Sequence, residues 1–275
     1  MAEPRLINID GKTGIMYRIW NVESPEGILL LVHGLGAHSG RWEALAECFL
    51  QRNIASYALE LRGFGRTQGI RGHVDTFDSY FDDILALSDV IRENNPGAKI
   101  FLAGESFGGL LSFLLACKGA GKFSGLICLA PAFSTKVRAP CLEYIEILLN
   151  LFKNPQKQFK ARFAGELCTR DPQYQARINS DLLEHRMVSA RFILNYFCAE
   201  RSARKVAAEL SIPVLFLVPG GDKLVSPHAS KLIFNQIKSR DKEIIVYLEM
   251  FHALSVELGK EKVFEDILNW IKKRL

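Results

Sequence analysis

A series of uninterrupted apolar runs, separated by stretches of helical period, constrains this chain most. ILLLVH (residues 28–33) comes first, and IASYALEL, KIFLAG, GLICLAP, IPVLFLVPGGD and EIIVYLEM follow. Runs without polar alternation suit strands covered on both faces, as in a parallel sheet. Between them, residues 41–52, 76–95, 107–117, 227–239 and 255–273 repeat their apolar side chains at helical spacing. Asn95-Pro96-Gly97 stops the second of these. Alternating strand and helix predicts right-handed crossovers and a mostly parallel central sheet flanked by helices. Ahead of them, residues 5–9 and 15–20 flank the turn sequence DGKTG and predict a hairpin.

The alternation breaks after Pro131. From 134 to 209 no strand is expected, and CLEYIEILLNLF, FKARFAGELC and RMVSARFILNYFCAE carry helical patterns instead. The expected organisation is one α/β core built from 1–133 and 210–275, with a helical cap inserted at 134–209. In the first of those helical stretches, Leu142, Ile145, Leu148, Leu149 and Phe152 share one face, with Glu143 and Glu146 opposite. That face is expected to line an apolar pocket, which makes Ile145 and Leu148 candidate substrate contacts. Lys153, Lys157, Lys160 and Arg162 follow as a solvated basic rim, with peripheral membrane contact through the cap as the functional alternative.

Bulk composition narrows the class further. With 275 residues, 48% hydrophobic and 24% charged, the chain is long enough for a core that holds a dry pocket. A net charge of +5, scattered along the sequence, gives no nucleic-acid footprint. Six cysteines without paired spacing argue against a disulfide framework and for a reducing interior. The stretch MAEPRLINID has no apolar signal core, and no segment reaches the roughly 20 apolar residues of a spanning helix. A cytoplasmic protein, at most peripheral to a membrane, is expected.

GESFGG (residues 104–109) stands where the run KIFLA hands over to a helical segment. Glycine two positions before and two after Ser106 lets the chain turn sharply, which raises the serine above the sheet edge. G-x-S-x-G at such a junction is the nucleophile elbow of α/β-hydrolases. A serine hydroxyl needs a base to take its proton, and the chain order serine, acid, histidine is expected. Of the histidines after Ser106, His185 lies in the insertion and His228 near a helix start, whereas His252 directly follows the last apolar run. Among the acids, Asp171 and Asp181 lie in the insertion and Asp241 precedes a strand. Asp222 ends VLFLVPGGD, at the carboxyl edge of the sheet, and would orient His252. The two oxyanion donors are expected from the backbone N–H groups of Phe107, after the nucleophile, and Leu35, in the loop HGLG. His33 reads as a structural hydrogen-bonding residue. No metal is expected, since the histidines lack HxxxH spacing and no cysteine pair supports zinc.

Taken together, HGLGAHSGRW, LRGFGRTQG, GESFGG, GGDKLV and FHALSVE resemble the monoacylglycerol lipase and lysophospholipase group of α/β-hydrolases. The resemblance runs in order over nearly the whole chain. It implies an α/β-hydrolase fold with a helical cap, a Ser106–Asp222–His252 triad, no cofactor, and an acyl ester or lipid as substrate. Gly34 and Arg41 become candidate substrate-binding residues on the same grounds. Two positions depart from the group: Ala37 stands where an acidic residue follows HGxG, and Ser255 where a second histidine is usual. The residue before the nucleophile, often histidine, is Glu105. The expected activity is a carboxylester hydrolase working through an acyl-enzyme on Ser106. Aminopeptidase, acyltransferase or C–C hydrolase chemistry on the same triad, and a silent binding protein, are the alternatives.

Overall fold

The structure is a computed structural model that describes residues 4–8, 14–119 and 123–275. Eight strands form one sheet: β1 (Pro4–Asn8), β2 (Gly14–Trp20), β3 (Gly27–Val32), β4 (Ile54–Leu59), β5 (Lys99–Glu105), β6 (Gly125–Leu129), β9 (Val214–Pro219) and β10 (Lys242–Tyr247). Their order is β1-β2-β4-β3-β5-β6-β9-β10. The two leading strands pair antiparallel with each other, and β2 pairs antiparallel with β4; every other pairing is parallel. The expected hairpin is therefore present, while residues 10–13 of its turn lie outside the described residues. β3, β4, β6 and β9 are buried along their full length, which accounts for their unbroken apolar sequences.

Helices cover both faces. On one side, α1 (Glu43–Leu50) and α9 (Lys260–Lys272) pack Phe49, Phe264 and Trp270 onto alternate strand residues such as Leu29, Phe101 and Leu215. On the other, α2 (Asp78–Asn94), α3 (Phe107–Cys117) and α8 (Pro227–Gln236) cover Leu30, Leu102 and Phe216. The chain is an α/β-hydrolase fold.

The stretch between β6 and β9 carries α4 (Cys141–Lys153), β7 (Gln158–Lys160), α5 (Gly165–Cys168), α6 (Pro172–Ser180), β8 (Met187–Ser189) and α7 (Ala190–Val206). The strand-free insertion expected from the sequence is thus corrected. β7 and β8 form a small antiparallel ladder in which Phe159 faces Val188. FKARFAGELC is strand, extended chain and one short helix rather than a helix, and Met187–Ser189 enters α7 as strand. Three-residue strands hold too few side chains to show a period of two.

Sheet topology positions the site. From β3 the chain crosses to β4 on one side, while β5 lies on the other, so the strand order reverses between β3 and β5. Crevices at the carboxyl ends of strands open at such a switch point. The register there sets Val32 beside Gly104, Glu105 beside Leu129, and Pro219 beside Tyr247. The segments that begin at His33, Ser106, Gly220 and Leu248 therefore emerge together at one edge.

Candidate active site

Ser106 sits between β5 and α3 with φ 57° and ψ −117°. A non-glycine residue at that φ is strained, and the surroundings must hold it there. Its glycine neighbours explain how. A Cβ on Gly104 would lie 2.3 Å from the Gly108 carbonyl oxygen, and one on Gly108 would lie 2.2 Å from the Val32 carbonyl oxygen. The elbow folds so tightly over β3 that only glycine fits at either position.

His252 follows β10 by five residues and is 5% exposed. One ring nitrogen, Nε2, lies 2.7 Å from Ser106 Oγ; the other, Nδ1, lies 2.8 Å from Asp222 Oδ2. A carboxylate only accepts, so Nδ1–H donates to Asp222 and Nε2 is left to take the serine proton. The second Asp222 oxygen accepts from the N–H groups of Leu224 at 2.8 Å and Val225 at 2.9 Å. Asp222 is thereby fixed, and Lys136 Nζ clamps its carbonyl at 2.6 Å. Burial alone would lower the His252 pKa; the Asp222 charge and hydrogen bond outweigh it and hold the imidazole above its ordinary value.

The HGLG loop closes on Ser106: a Cβ on Gly34 would meet Ser106 Cβ at 3.2 Å. The N–H groups of Leu35 and Phe107 have no acceptor among the described residues. His33 is fully buried, donating from Nδ1 to the Gly34 carbonyl at 2.8 Å and accepting at Nε2 from the Leu61 N–H at 3.0 Å. Burial lowers its pKa to about 4, so it stays neutral as a brace for the loop.

A cavity of about 210 Å³ opens beside Ser106 and His252. Its apolar lining comes largely from the insertion, including Ile147, Phe163, Val188, Phe192 and Tyr196. Gly34, Leu35 and Arg41 also line it. Ile145 and Leu148 do not, which corrects their expected role. They stand on the outward face of α4, 54% and 58% exposed, beside Phe152 at 91%. The helix has a second apolar stripe, Tyr144, Ile147 and Leu151, which packs against Phe159, Ala190 and Ile193. Both stripes have helical spacing, so periodicity alone could not choose between them.

A family profile described as serine aminopeptidase, S33, matches residues 23–259. The chain belongs to that family. The human monoglyceride lipase is 27% identical to this S33 hydrolase over 282 residues, covering 98% of this chain and 90% of the relative. The monoacylglycerol lipase of Mycolicibacterium smegmatis is 26% identical over 270 residues, covering 96% and 95%. A crystal structure of the Paleococcus ferrophilus monoacylglycerol lipase superposes with a TM-score of 0.86 at 26% identity, covering 95% of this chain and 99% of that one. This S33 member is accordingly an α/β-hydrolase of the monoglyceride lipase group and a carboxylesterase-type hydrolase.

Glu257, Glu184 and His38 were not singled out by sequence reasoning, and the partners of Glu105 and Arg41 were not foreseen. Glu257 is fully buried and accepts from the Phe251 N–H at 2.8 Å, one residue before His252, and from the Arg170 N–H at 3.1 Å. It ties the histidine loop to the insertion. Glu105, raised above the usual carboxylate range by burial, accepts from Ser255 at both oxygens. Arg41 pairs with Glu184 of the insertion, and His38 Nε2 meets Asp181 Oδ2 at 2.8 Å. No local pattern marks these pairs, because their partners lie far apart along the chain. Among the described residues, no helix is long and apolar enough to cross a membrane.

Proposed function

We propose that this chain is a serine carboxylester hydrolase that cleaves single-chain acyl esters such as monoacylglycerol or lysophospholipid, through an acyl-enzyme on Ser106. The hydrogen-bonded line Ser106–His252–Asp222, at 2.7 and 2.8 Å, carries the proposal. His252 takes the Ser106 proton as the hydroxyl oxygen attacks the ester carbonyl, and Asp222 stabilises the imidazolium. The carbonyl oxygen, now negative, takes hydrogen bonds from the Phe107 and Leu35 N–H groups; such donors are worth about 10²–10³ in rate each. The imidazolium then protonates the leaving alcohol. Water, deprotonated by the same base, releases the acid and restores the serine.

The apolar cavity over the serine supports an acyl chain as the group held during these steps. The names of the monoglyceride lipases it resembles support a glycerol monoester as one substrate. The 134–209 insertion acts as a cap over the 1–133 and 210–275 core, supported by its share of the cavity lining. The outward face of α4 supports peripheral contact with a lipid surface, where Leu142, Leu149 and Phe152 would bury into the interface. Lys157 and Arg162 are paired with Glu146 and Glu143, so that contact is chiefly apolar.

An acyl-chain series of p-nitrophenyl esters, run beside monoacylglycerol, lysophospholipid and amino-acid anilides, tests the reaction class. The expected result is ester turnover rising with acyl length and negligible anilide turnover. Anilide cleavage exceeding ester cleavage would replace the esterase reading with a peptidase.

A further inference from the structure

The chain leaves the core for the insertion along residues 134–136, and that segment pairs with the loop that carries Asp222. Thr135 stands opposite Val225 in an antiparallel bridge. The Ser226 N–H donates to the Ser134 carbonyl at 2.9 Å, and the Lys136 N–H to the Leu224 carbonyl at 2.8 Å. These two bonds flank the Thr135–Val225 pair, so the Thr135 N–H points away from the loop. An edge group of that kind needs another acceptor. Glu200 Oε1, on α7, supplies it at 2.8 Å. Beside it, Lys136 Nζ reaches the Asp222 carbonyl at 2.6 Å. Leu224 and Val225, which face the segment, give their N–H groups to Asp222 Oδ1. A line of hydrogen bonds therefore runs from α7, through 134–136, to the carboxylate that holds His252.

We propose that Glu200 of the insertion is a positioning residue: by holding Thr135 it fixes the Asp222 loop and, through that loop, His252. The inference deepens the ester hydrolase reading above and rests on it. The place of Glu200 on α7 supports it. Phe192, Tyr196 and Glu200 follow one another at four-residue steps, so they share one helix face. The rings of Phe192 and Tyr196 pack on Phe107, with centroids 5.2 and 5.7 Å away, and Phe107 directly follows Ser106. One face of α7 thus braces the Ser106 side of the site with aromatic rings and the Asp222 side with a carboxylate. Burial pushes the Glu200 carboxyl up to about 6, while the bond from the Thr135 N–H pulls the other way. Near neutral pH the group is therefore charged, and a charged acceptor holds an N–H roughly twice as strongly as a neutral one. The seating of the insertion is thereby coupled to the orientation of the acid, and not only to the walls of the cavity.

The test reads two quantities in wild type, Glu200→Ala, Glu200→Gln and Lys136→Met. One is the His252 pKa, by NMR titration of histidine-labelled enzyme; the other is kcat and KM with p-nitrophenyl octanoate. Neither the pKa nor KM depends on the fraction of enzyme that is folded. Glu200→Ala is expected to lower kcat by about 10- to 100-fold with KM within about threefold, as for a catalytic group moved slightly out of place. It is also expected to move the His252 pKa down, because Asp222 is held less firmly against the imidazole. Glu200→Gln removes the charge but keeps an acceptor, and is expected to recover most of both quantities, which separates the tie from a field effect on His252. Lys136→Met changes an exposed residue at the other end of the line and is expected to move the pKa the same way. A His252 pKa unmoved in Glu200→Ala, a loss confined to KM, or equal losses in Glu200→Gln and Glu200→Ala overturns the proposal. Where Glu200→Ala yields no folded enzyme, an unmoved pKa in Lys136→Met overturns it equally. A wild type that turns over no ester, although Glu200→Ala still shifts the pKa, overturns the hydrolase reading and leaves the tie standing.

Discussion

The Glu105 carboxylate accepts two hydrogen bonds from Ser255, from the N–H at 2.9 Å and from the hydroxyl at 2.8 Å. The residue before Ser106 is thus tied to the turn that follows His252, and the two loops are held as one unit. Ser255→Ala removes one donor from a buried carboxylate and is expected to cost about 1.5–3 kcal/mol, read by urea denaturation. Ser255→Thr, which keeps the hydroxyl, should recover most of it. Equal stability in Ser255→Ala and wild type would show that the tie is idle.

Asp222 raises the His252 pKa above its ordinary value of about 6.5, against the pull of burial. In the proposed mechanism His252 takes the Ser106 proton, which it does only when neutral. The kcat/KM profile is therefore expected to rise with pH and level off through an inflection above that value. The same shift has a stability side: the His252⁺–Asp222 attraction is fully present below the unfolded pKa and is lost as pH rises through the higher folded one. Asp222→Asn is expected to lower kcat by about 10³–10⁴ and to move the inflection down.

The elbow glycines admit no side chain. Gly108→Ala places a Cβ 2.2 Å from the Val32 carbonyl oxygen, and both elements are backbone, so neither can rotate away. The expected cost is at least about 1–3 kcal/mol in chemical denaturation, with a large loss of ester turnover. Gly119→Ala separates backbone strain from a clash: nothing lies within 4 Å of the added carbon, but φ is +81°, so a loss of about 1–2 kcal/mol is expected with ester turnover kept.

On α4 the two apolar stripes should behave oppositely. Ile147→Ala opens the cavity wall at a buried position and is expected to cost about 2–5 kcal/mol. Phe152→Glu with Leu148→Glu changes only exposed positions and is expected to leave stability within about 1 kcal/mol while abolishing sedimentation with phosphatidylcholine vesicles. Vesicle binding that survives the double change would place the lipid contact elsewhere.

These contrasts mark what the sequence could reveal. The strands β3, β4, β5, β6 and β9 were legible because burial on both faces leaves their runs unbroken, and the ends of β5, β9 and β10 placed Ser106, Asp222 and His252 at one edge. The insertion was less legible. Pro172–Ser180 is a mostly polar helix, and Gln158–Lys160 and Met187–Ser189 are too short to show a pattern. Which face of α4 turns inward depends on Phe159 and Ala190, which follow later in the chain. Glu184 and Glu257 draw their partners, Arg41 and Arg170, from 143 and 87 residues away, and no local spacing encodes such a pair.

The central claim, a covalent intermediate on Ser106, is tested most directly by mass spectrometry of enzyme quenched in acid during turnover of p-nitrophenyl octanoate. The expected result is an octanoyl adduct on the peptide that contains Ser106, absent from Ser106→Ala, which should also lose turnover. Turnover by Ser106→Ala at the wild-type rate, or an adduct on another residue, would contradict the account.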